Sequence, residues 1–284
     1  MIFFMSQTEK LFRRLDDLLD RLEQLMPPQK AVEQNWTYRA YHWHDGNLQG
    51  IVDYHRVDPD ELLHIERQAQ LVRRNTAQFI AGRPANNVLL WGARGTGKSS
   101  VIKAQLQEFD ELCIVEVGKQ DSADLQDVIA TLALDQRRYL LYMDDLSFEA
   151  DDESYKALKA SLEGSIRPQP DNVLIYATSN RRHLMPESMQ DNLDSTMQDG
   201  QLHPSDAIEE KISLSDRFGL WLSFHPFTQQ QYLDVVEHAL TRHDIELTDE
   251  IRTEAIRFAT QRGSRSGRIA VQFATYWLGV MLEA

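Results

Sequence analysis

Cysteine is the scarcest residue of this chain: one thiol, Cys113, in 284 residues. A lone thiol closes no internal disulfide, which excludes a disulfide-framed scaffold and agrees with a reducing compartment. Set in the apolar run LCIVEV, Cys113 is expected as a small buried hydrophobe. Long apolar runs are missing too. None approaches the ~20 residues that cross a bilayer, so no membrane span is expected. The opening MIFFMSQTEK lacks the basic flank and small-residue cleavage site of a secretory signal, and a cytoplasmic protein is the expectation. Positive charge is also short, with 30 Lys and Arg against 44 Asp and Glu and a formal net charge of -14. A polyanion would have to be gripped by a local basic patch working against that field, so nucleic acid is not expected as the main partner. What is present is ordinary for a globular chain, 42% hydrophobic and 26% charged, enough for one large domain or a large and a small one.

Three regions are read along the chain. Residues 1–57 form an N-terminal helical and irregular extension. In it Ser6 and Glu9 fit a capping box, and Leu11, Leu15, Leu18, Leu22 and Leu25 recur at steps of four and three until Pro27 and Pro28. That seam is short, and suits docking on its own protein or a partner better than a free-standing coiled coil. WTYRAYHWHDGNLQGIVDYH follows, with Gly46 and Gly50 as turns. His42 and His44 stand out there, but no cysteine or carboxylate accompanies them at metal-ligand spacing, and the spacing argues against a metal site.

Residues 58–226 read as an α/β domain. Asp58-Pro59 opens a helix over 58–80. Short apolar runs then alternate with amphipathic stretches: strands over 88–91, 112–117, 139–143, 173–178 and 220–224, helices over 98–109, 123–134 and 153–164. Such alternation implies a parallel five-stranded sheet with flanking helices. Past Pro226 the strand signal stops, and residues 227–284 read as a small all-helical domain with helices over 228–242, 248–261 and 266–282. Thr228 and Gln231 repeat the capping-box pattern at the first of these. Residues 184–211 are acidic and poorly periodic, either a solvated linker or an insertion that meets a partner.

The chemistry concentrates in VLLWGARGTGKSS. Gly92, Gly97, Lys98 and Ser99 match G-x-x-x-x-G-K-[ST] where a strand meets a helix. The loop Gly92, Ala93, Arg94, Gly95, Thr96, Gly97, Lys98, Ser99 and Ser100 would wrap phosphates with backbone N–H groups and the positive end of a helix. Lys98 would reach the β- and γ-phosphates, and Ser99 would offer its hydroxyl to Mg²⁺. A second anchor comes from YLLYMDD, whose acids follow an apolar strand and so face the crevice where open α/β sheets bind ligands. Asp144 is assigned to the Mg²⁺ shell with Ser99, and Asp145 to polarising the attacking water. Asn180, in ATSNRRH at the same sheet edge, could orient water or a phosphate oxygen.

This ordered set resembles the AAA+ ATPase superfamily: GARGTGKS as Walker A, LLYMDD as Walker B, Asn180 as sensor 1, then SDRF and a helical lid. GARGTGKSS, MDDLSFE, YKALKASLEGS and IYATSNRRHL are similar, more closely, to a bacterial group of predicted AAA+ ATPases, the domain of unknown function 815 family. The resemblance implies a P-loop NTPase fold with a helical lid and a Mg-ATP-dependent ATPase. Such an enzyme would drive or switch the remodelling of an unidentified macromolecular client, with protein the expected kind. It implies a homo-oligomer, a ring for which six subunits is one candidate size. Arg217, in LSDRFGLW, takes the arginine-finger position and reaches the phosphate held by a neighbouring subunit. Arg268 matches the lid arginine that touches nucleotide, with Arg265 a competitor for that role, and residues 63–65 fall where the superfamily cradles adenine. Two departures follow. Asp145 stands where most AAA+ ATPases have Glu, and 118–138 lacks the aromatic-apolar-glycine loop of polypeptide-threading members. Both keep open a second reading, a nucleotide-dependent switch or loader with slow or partner-stimulated turnover.

Overall fold

The computed structural model describes residues 35–147, 153–163, 170–181, 196–198, 201–203 and 216–283. The leucine seam at 11–25 and most of 184–211 lie outside them. Among the described residues no helix is long and apolar enough to cross a membrane.

Seven strands, not five, make the main sheet: β1 (Ala40–His44), β2 (Asn47–Ile51), β3 (Val88–Gly92), β4 (Leu112–Val117), β5 (Arg138–Met143), β6 (Val173–Ser179) and β9 (Leu220–Phe224). Their order is β2-β1-β4-β5-β6-β3-β9. All neighbours are parallel except β1 and β2. The central strands are continuous apolar runs because helices cover both faces; every residue of β6 is buried.

The two extra strands correct the sequence reading, which took the stretch before residue 57 as helical and irregular. Asp45 and Gly46 have φ of 48° and 76°, the pair of positive angles that a two-residue hairpin turn requires, and Asp-Gly supplies it cheaply. On β1, Tyr41 and Trp43 go into the core while His42 and His44 take the opposite face. That period of two is the mark of a strand.

On one face of the sheet lie α1 (Glu66–Ile80) and α2 (Lys98–Glu108). Val72, Phe79, Val101, Ile102 and Leu106 pack on Leu90, Ile114, Tyr142 and Tyr176. On the other lie α3 (Leu125–Leu132) and α4 (Glu153–Glu163), whose Val128, Leu132 and Leu158 meet Val115, Leu141 and Ile175. The expected helix over 58–80 is divided. Asp58 caps a short 3₁₀ turn, Pro59–Glu61, and His64, with φ of 64°, stops it before α1 begins at Glu66. The expected helix over 123–134 is likewise a 3₁₀ turn, Lys119–Asp124, followed by α3. Within 184–211, β7 (Thr196–Gln198) and β8 (Gln201–His203) form a small antiparallel pair.

The C-terminal part is helical: α5 (Gln229–Thr241), α6 (Asp249–Gln261) and α7 (Gly267–Glu283). Thr228 and Gln231 form the full reciprocal capping box at α5. Tyr232, Val236, Ala255 and Phe273 share the core cluster of α1 and α2, which seats these helices beside the end of β3.

Candidate functional site

The parallel strands end along one edge of the sheet, and the site is built there from three of them. At the end of β3, Gly92 has φ of 129°, and a Cβ on it would lie 2.0 Å from the Phe224 carbonyl oxygen. Only glycine fits where β3 and β9 approach so closely. The Ala93 N–H donates to that same carbonyl at 2.9 Å, and the Thr96 hydroxyl donates to Ala93 O at 2.8 Å. Gly97, at φ of 98°, is the N-cap of α2. A Cβ there would meet Ile65 Cδ1 at 2.6 Å. The loop is thus held on one side by backbone and on the other by the segment before α1.

Lys98 is buried, and its ammonium donates to Gly92 O at 2.9 Å, Ala93 O at 2.8 Å and Asn180 Oδ1 at 3.2 Å. Three acceptors satisfy three protons, and all three are neutral. Burial pushes its pKa below the usual lysine value, opposed by the charges of Asp145 and Asp144. A buried cation with no bonded carboxylate among the described residues, at a helix N-terminus, suits an anionic ligand.

Across the crevice, Ser99 Oγ donates to Asp144 Oδ1 at 2.8 Å, and Thr178 Oγ1 donates to the same oxygen at 2.6 Å. Burial raises the Asp144 pKa, but these two donors, with Tyr142 and the charge of Lys103, more than offset it, and the carboxyl stays below its ordinary value. Thr178 Oγ1 also accepts from the Asp145 N–H at 2.9 Å. Asp145 has φ of 50°, a left-handed conformation that aspartate tolerates better than most residues. Its Oδ1 accepts from Asn180 Nδ2. Asn180 therefore links the lysine of the loop to the second acid. Sequence reasoning missed Thr178. The signal lay in pairing: Met143 registers with Ala177, which sets Asp144 beside Thr178.

These groups line one end of a cavity of about 670 Å³. Its other end is apolar, with Val57, Leu62, Leu63 and Ile65 ahead of α1 and Val235 and Val271 from the helical part. Of residues 63–65, Leu63 and Ile65 line it. His64 turns away, its Nε2 2.9 Å from Asp234 Oδ2 on α5. Arg94, Gly95, Thr96, Ser100 and Arg268 line it as well. The Arg268 N–H donates to Gly95 O at 3.1 Å, and Arg265 is absent from the walls. Gly92, Ala93 and Arg217 do not line the cavity. The first two act through backbone bonds, and Arg217 sits just ahead of β9. The cavity's chemistry fits a nucleotide with its divalent ion. A backbone cradle closed to side chains and a buried ammonium suit phosphates, while a hydroxyl and a low-pKa carboxylate side by side are hard oxygen donors of the kind Mg²⁺ takes.

The family described as "Protein of unknown function (DUF815)" matches residues 36–281. Among solved structures, the chain is similar to a lysine-to-arginine mutant of Thermotoga maritima RuvB, with 17% identity, a TM-score of 0.53, and 80% of this chain and 67% of that one covered. A proline-to-glycine mutant of the same protein has 16% identity and a TM-score of 0.49 over 75% of this chain and 61% of that one. The Orc1 protein of Aeropyrum pernix, solved in complex with DNA, has 14% identity and a TM-score of 0.48 over 75% of this chain and 61% of that one. This chain thus spans about two thirds of those lengths or less. No curated protein matches it. The expectation against nucleic acid rested on net charge alone, and these likenesses lend it no support.

Proposed function

The chain belongs to the family described as "Protein of unknown function (DUF815)" and has the AAA+ fold, and from that premise we propose that it is a Mg-ATP-dependent ATPase whose turnover drives or switches the remodelling of a macromolecular client. The observation that carries this reading is the bonded series Lys98, Asn180, Asp145, set beside the Ser99–Asp144 pair in one cavity. Backbone N–H groups from Arg94 to Ser99 and the Lys98 ammonium would hold the phosphates. Ser99 and Asp144 would hold Mg²⁺, which when bound neutralises phosphate charge and stabilises what develops on the leaving group. Asp145 would take the proton of the attacking water, and Asn180 would orient that water without adding charge. Leu62, Leu63, Val235 and Val271 offer the apolar end to the base, and Arg268 reports the nucleotide to the helical lid.

In this reading the nucleotide-binding domain, expected at 58–226 after an extension at 1–57, also takes in the β1–β2 hairpin, because that hairpin belongs to the main sheet, and the lid is 227–284. Arg217 lies off the cavity wall, which supports a role on a neighbouring subunit's nucleotide in a homo-oligomeric ring. The protein would work in the cytoplasm. Nucleic acid stands beside protein among the clients to be tried.

One observation favours the second reading, a switch with slow or partner-stimulated turnover. One oxygen of the Asp145 carboxylate is already engaged by Asn180, which leaves the other for water and makes turnover sensitive to how a partner sets that bond. Steady-state phosphate release from Mg-ATP, with and without added DNA, tests both. Release that disappears in Lys98→Ala supports the enzyme. Tight ATP binding with negligible release supports the switch, and no binding of either ATP or GTP refutes both.

A further inference from the structure

Outside the lining of the nucleotide cavity, the fold brings His42 and His44 together with Asp121, an acid distant from them in sequence. His42 and His44 project from one face of β1, since they are two residues apart on a strand whose Tyr41 and Trp43 are buried on the other. Their rings lie 6.1 Å apart and nearly parallel, at 25°. Asp121 arrives from the 3₁₀ turn after β4, the strand that pairs with β1. One ligand atom from each of the three lies within 4.8 Å of the others.

Asp121 is the second and independent sign. The residue is only 8% exposed, and its Oδ2 is buried with no hydrogen-bond partner among the described residues. The nearest His44 nitrogen, Nδ1, is 3.8 Å away, beyond hydrogen-bonding reach. A carboxylate oxygen hidden from water without a donor costs several kcal/mol in general. The turn that holds it is firm: the Asp121 N–H donates to Gly118 O at 3.1 Å, Ser122 Oγ donates to Lys119 O, and Trp43 Nε1 donates to Asp124 Oδ2 at 3.3 Å. The orphaned oxygen is therefore built in, facing two imidazoles.

We propose that His42, His44 and Asp121 bind a divalent transition-metal ion of the zinc class. Two imidazoles and one carboxylate suit zinc, cobalt, nickel or copper, whereas magnesium and calcium prefer all-oxygen shells. Bonds of ~2.0–2.2 Å to a tetrahedral ion require ligand atoms nearer together than 4.8 Å. Side-chain rotations of His42 and His44 would supply this; the His44 side chain is 46% exposed and its Nε2 lies 3.4 Å from Asp45. Three protein ligands leave a coordination position for water or for a group from a partner. The ion clasps the β1–β2 hairpin to the segment after β4. It does so on the edge of the sheet that carries the nucleotide cavity, with β4 between β1 and β5, two strand spacings or ~10 Å across.

The test uses the untagged full chain, treated with chelator and then freed of it. Calorimetric titration with Zn²⁺ in the absence of nucleotide should give one equivalent per chain, and Co²⁺ should produce the visible absorption of a four-coordinate site. Affinity should fall at least ~100-fold in His42→Ala and in His44→Gln, and ~10-fold or more in Asp121→Asn. Zn²⁺ should raise the melting temperature of the parent and not of these variants. A cooperative melt of each variant without metal is the check that it is folded. The double variant Ser99→Ala/Asp144→Asn should keep the site. Absence of stoichiometric Zn²⁺ binding, retention of it in the His42→Ala/His44→Gln double variant, or its loss in Ser99→Ala/Asp144→Asn would each overturn the proposal.

Discussion

The nucleotide cavity and the β1 edge lie along the same end of one sheet, yet their functional groups are assembled in opposite ways. In the cavity, a contiguous loop from Arg94 to Ser100 supplies much of the polar wall, and two strand ends add Asp144, Asp145, Thr178 and Asn180. At the edge nothing is contiguous: a hairpin supplies two histidines and a turn after β4 supplies the acid. The first site is a motif and the second a juxtaposition. Charge follows the same division. The cavity holds a buried cation bonded to neutral acceptors, a place for an anion. The edge holds a buried carboxylate oxygen with no donor among the described residues, a place for a cation.

If the two sites are as independent as this suggests, Lys98→Ala should divide them most sharply. Removing the ammonium deletes a buried charged contact, worth about 2–5 kcal/mol in comparable settings, so Mg-ATP affinity by calorimetry should fall at least ~30-fold while Zn²⁺ affinity stays within twofold. Undiminished ATP affinity would refute the cradle. Asp145→Asn comes next. It should leave ATP affinity near the parent value and slow phosphate release by ~100-fold, the usual scale for loss of a general base; equal turnover would assign the base elsewhere.

Gly92→Ala probes the backbone beneath the cavity. Its Cβ would overlap the Phe224 carbonyl, so β3 and β9 must part, and a loss of ~3 kcal/mol in chemical denaturation is expected. A neutral result would mean that the strands are not so closely apposed. The smallest effect belongs to Thr178→Val. Asp144 has a folded-state pKa below its unfolded value, so it contributes stability above the ordinary carboxylate pKa, and this is lost as pH falls through the folded value. Taking away the Thr178 donor raises the folded pKa. Neutral-pH stability should drop by ~1 kcal/mol, and the acid-unfolding midpoint should move to higher pH. An unchanged midpoint would mean that Ser99, Tyr142 and Lys103 hold the carboxylate down without Thr178. For the proposed trans role of Arg217, Arg217→Ala protein mixed with Lys98→Ala protein should regain part of the phosphate release, and mixed assemblies with none would argue against it.

Much of the fold was legible because the central strands are apolar throughout and their connections carry helical periodicity. LCIVEV and VLIYATS could hardly be anything but buried strands, and Thr228 announced α5 through its own side chain. The hairpin was harder. Its Asp-Gly turn was in plain sight, but five-residue strands thick with histidine and aromatics mix core and surface residues too closely for periodicity to stand out. The division of the 58–80 helix escaped notice for a related reason: the left-handed turn at His64 is imposed by its surroundings, not by glycine or proline. In the site, Lys98 and the two acids were legible as motif members. Thr178 was not, because a threonine near a strand end carries no signal until its neighbour strand is known.

Residues joined by a few peptide bonds carry their geometry with them, so composition and spacing alone were sufficient for the phosphate loop, the paired acids, the parallel core strands and the capped C-terminal helices. Pairing between distant strands has no such local tether. It rests on how whole faces bury one another, and that burial set the two added strands, the Thr178 contact, the apolar end of the cavity, and the meeting of His42 and His44 with Asp121.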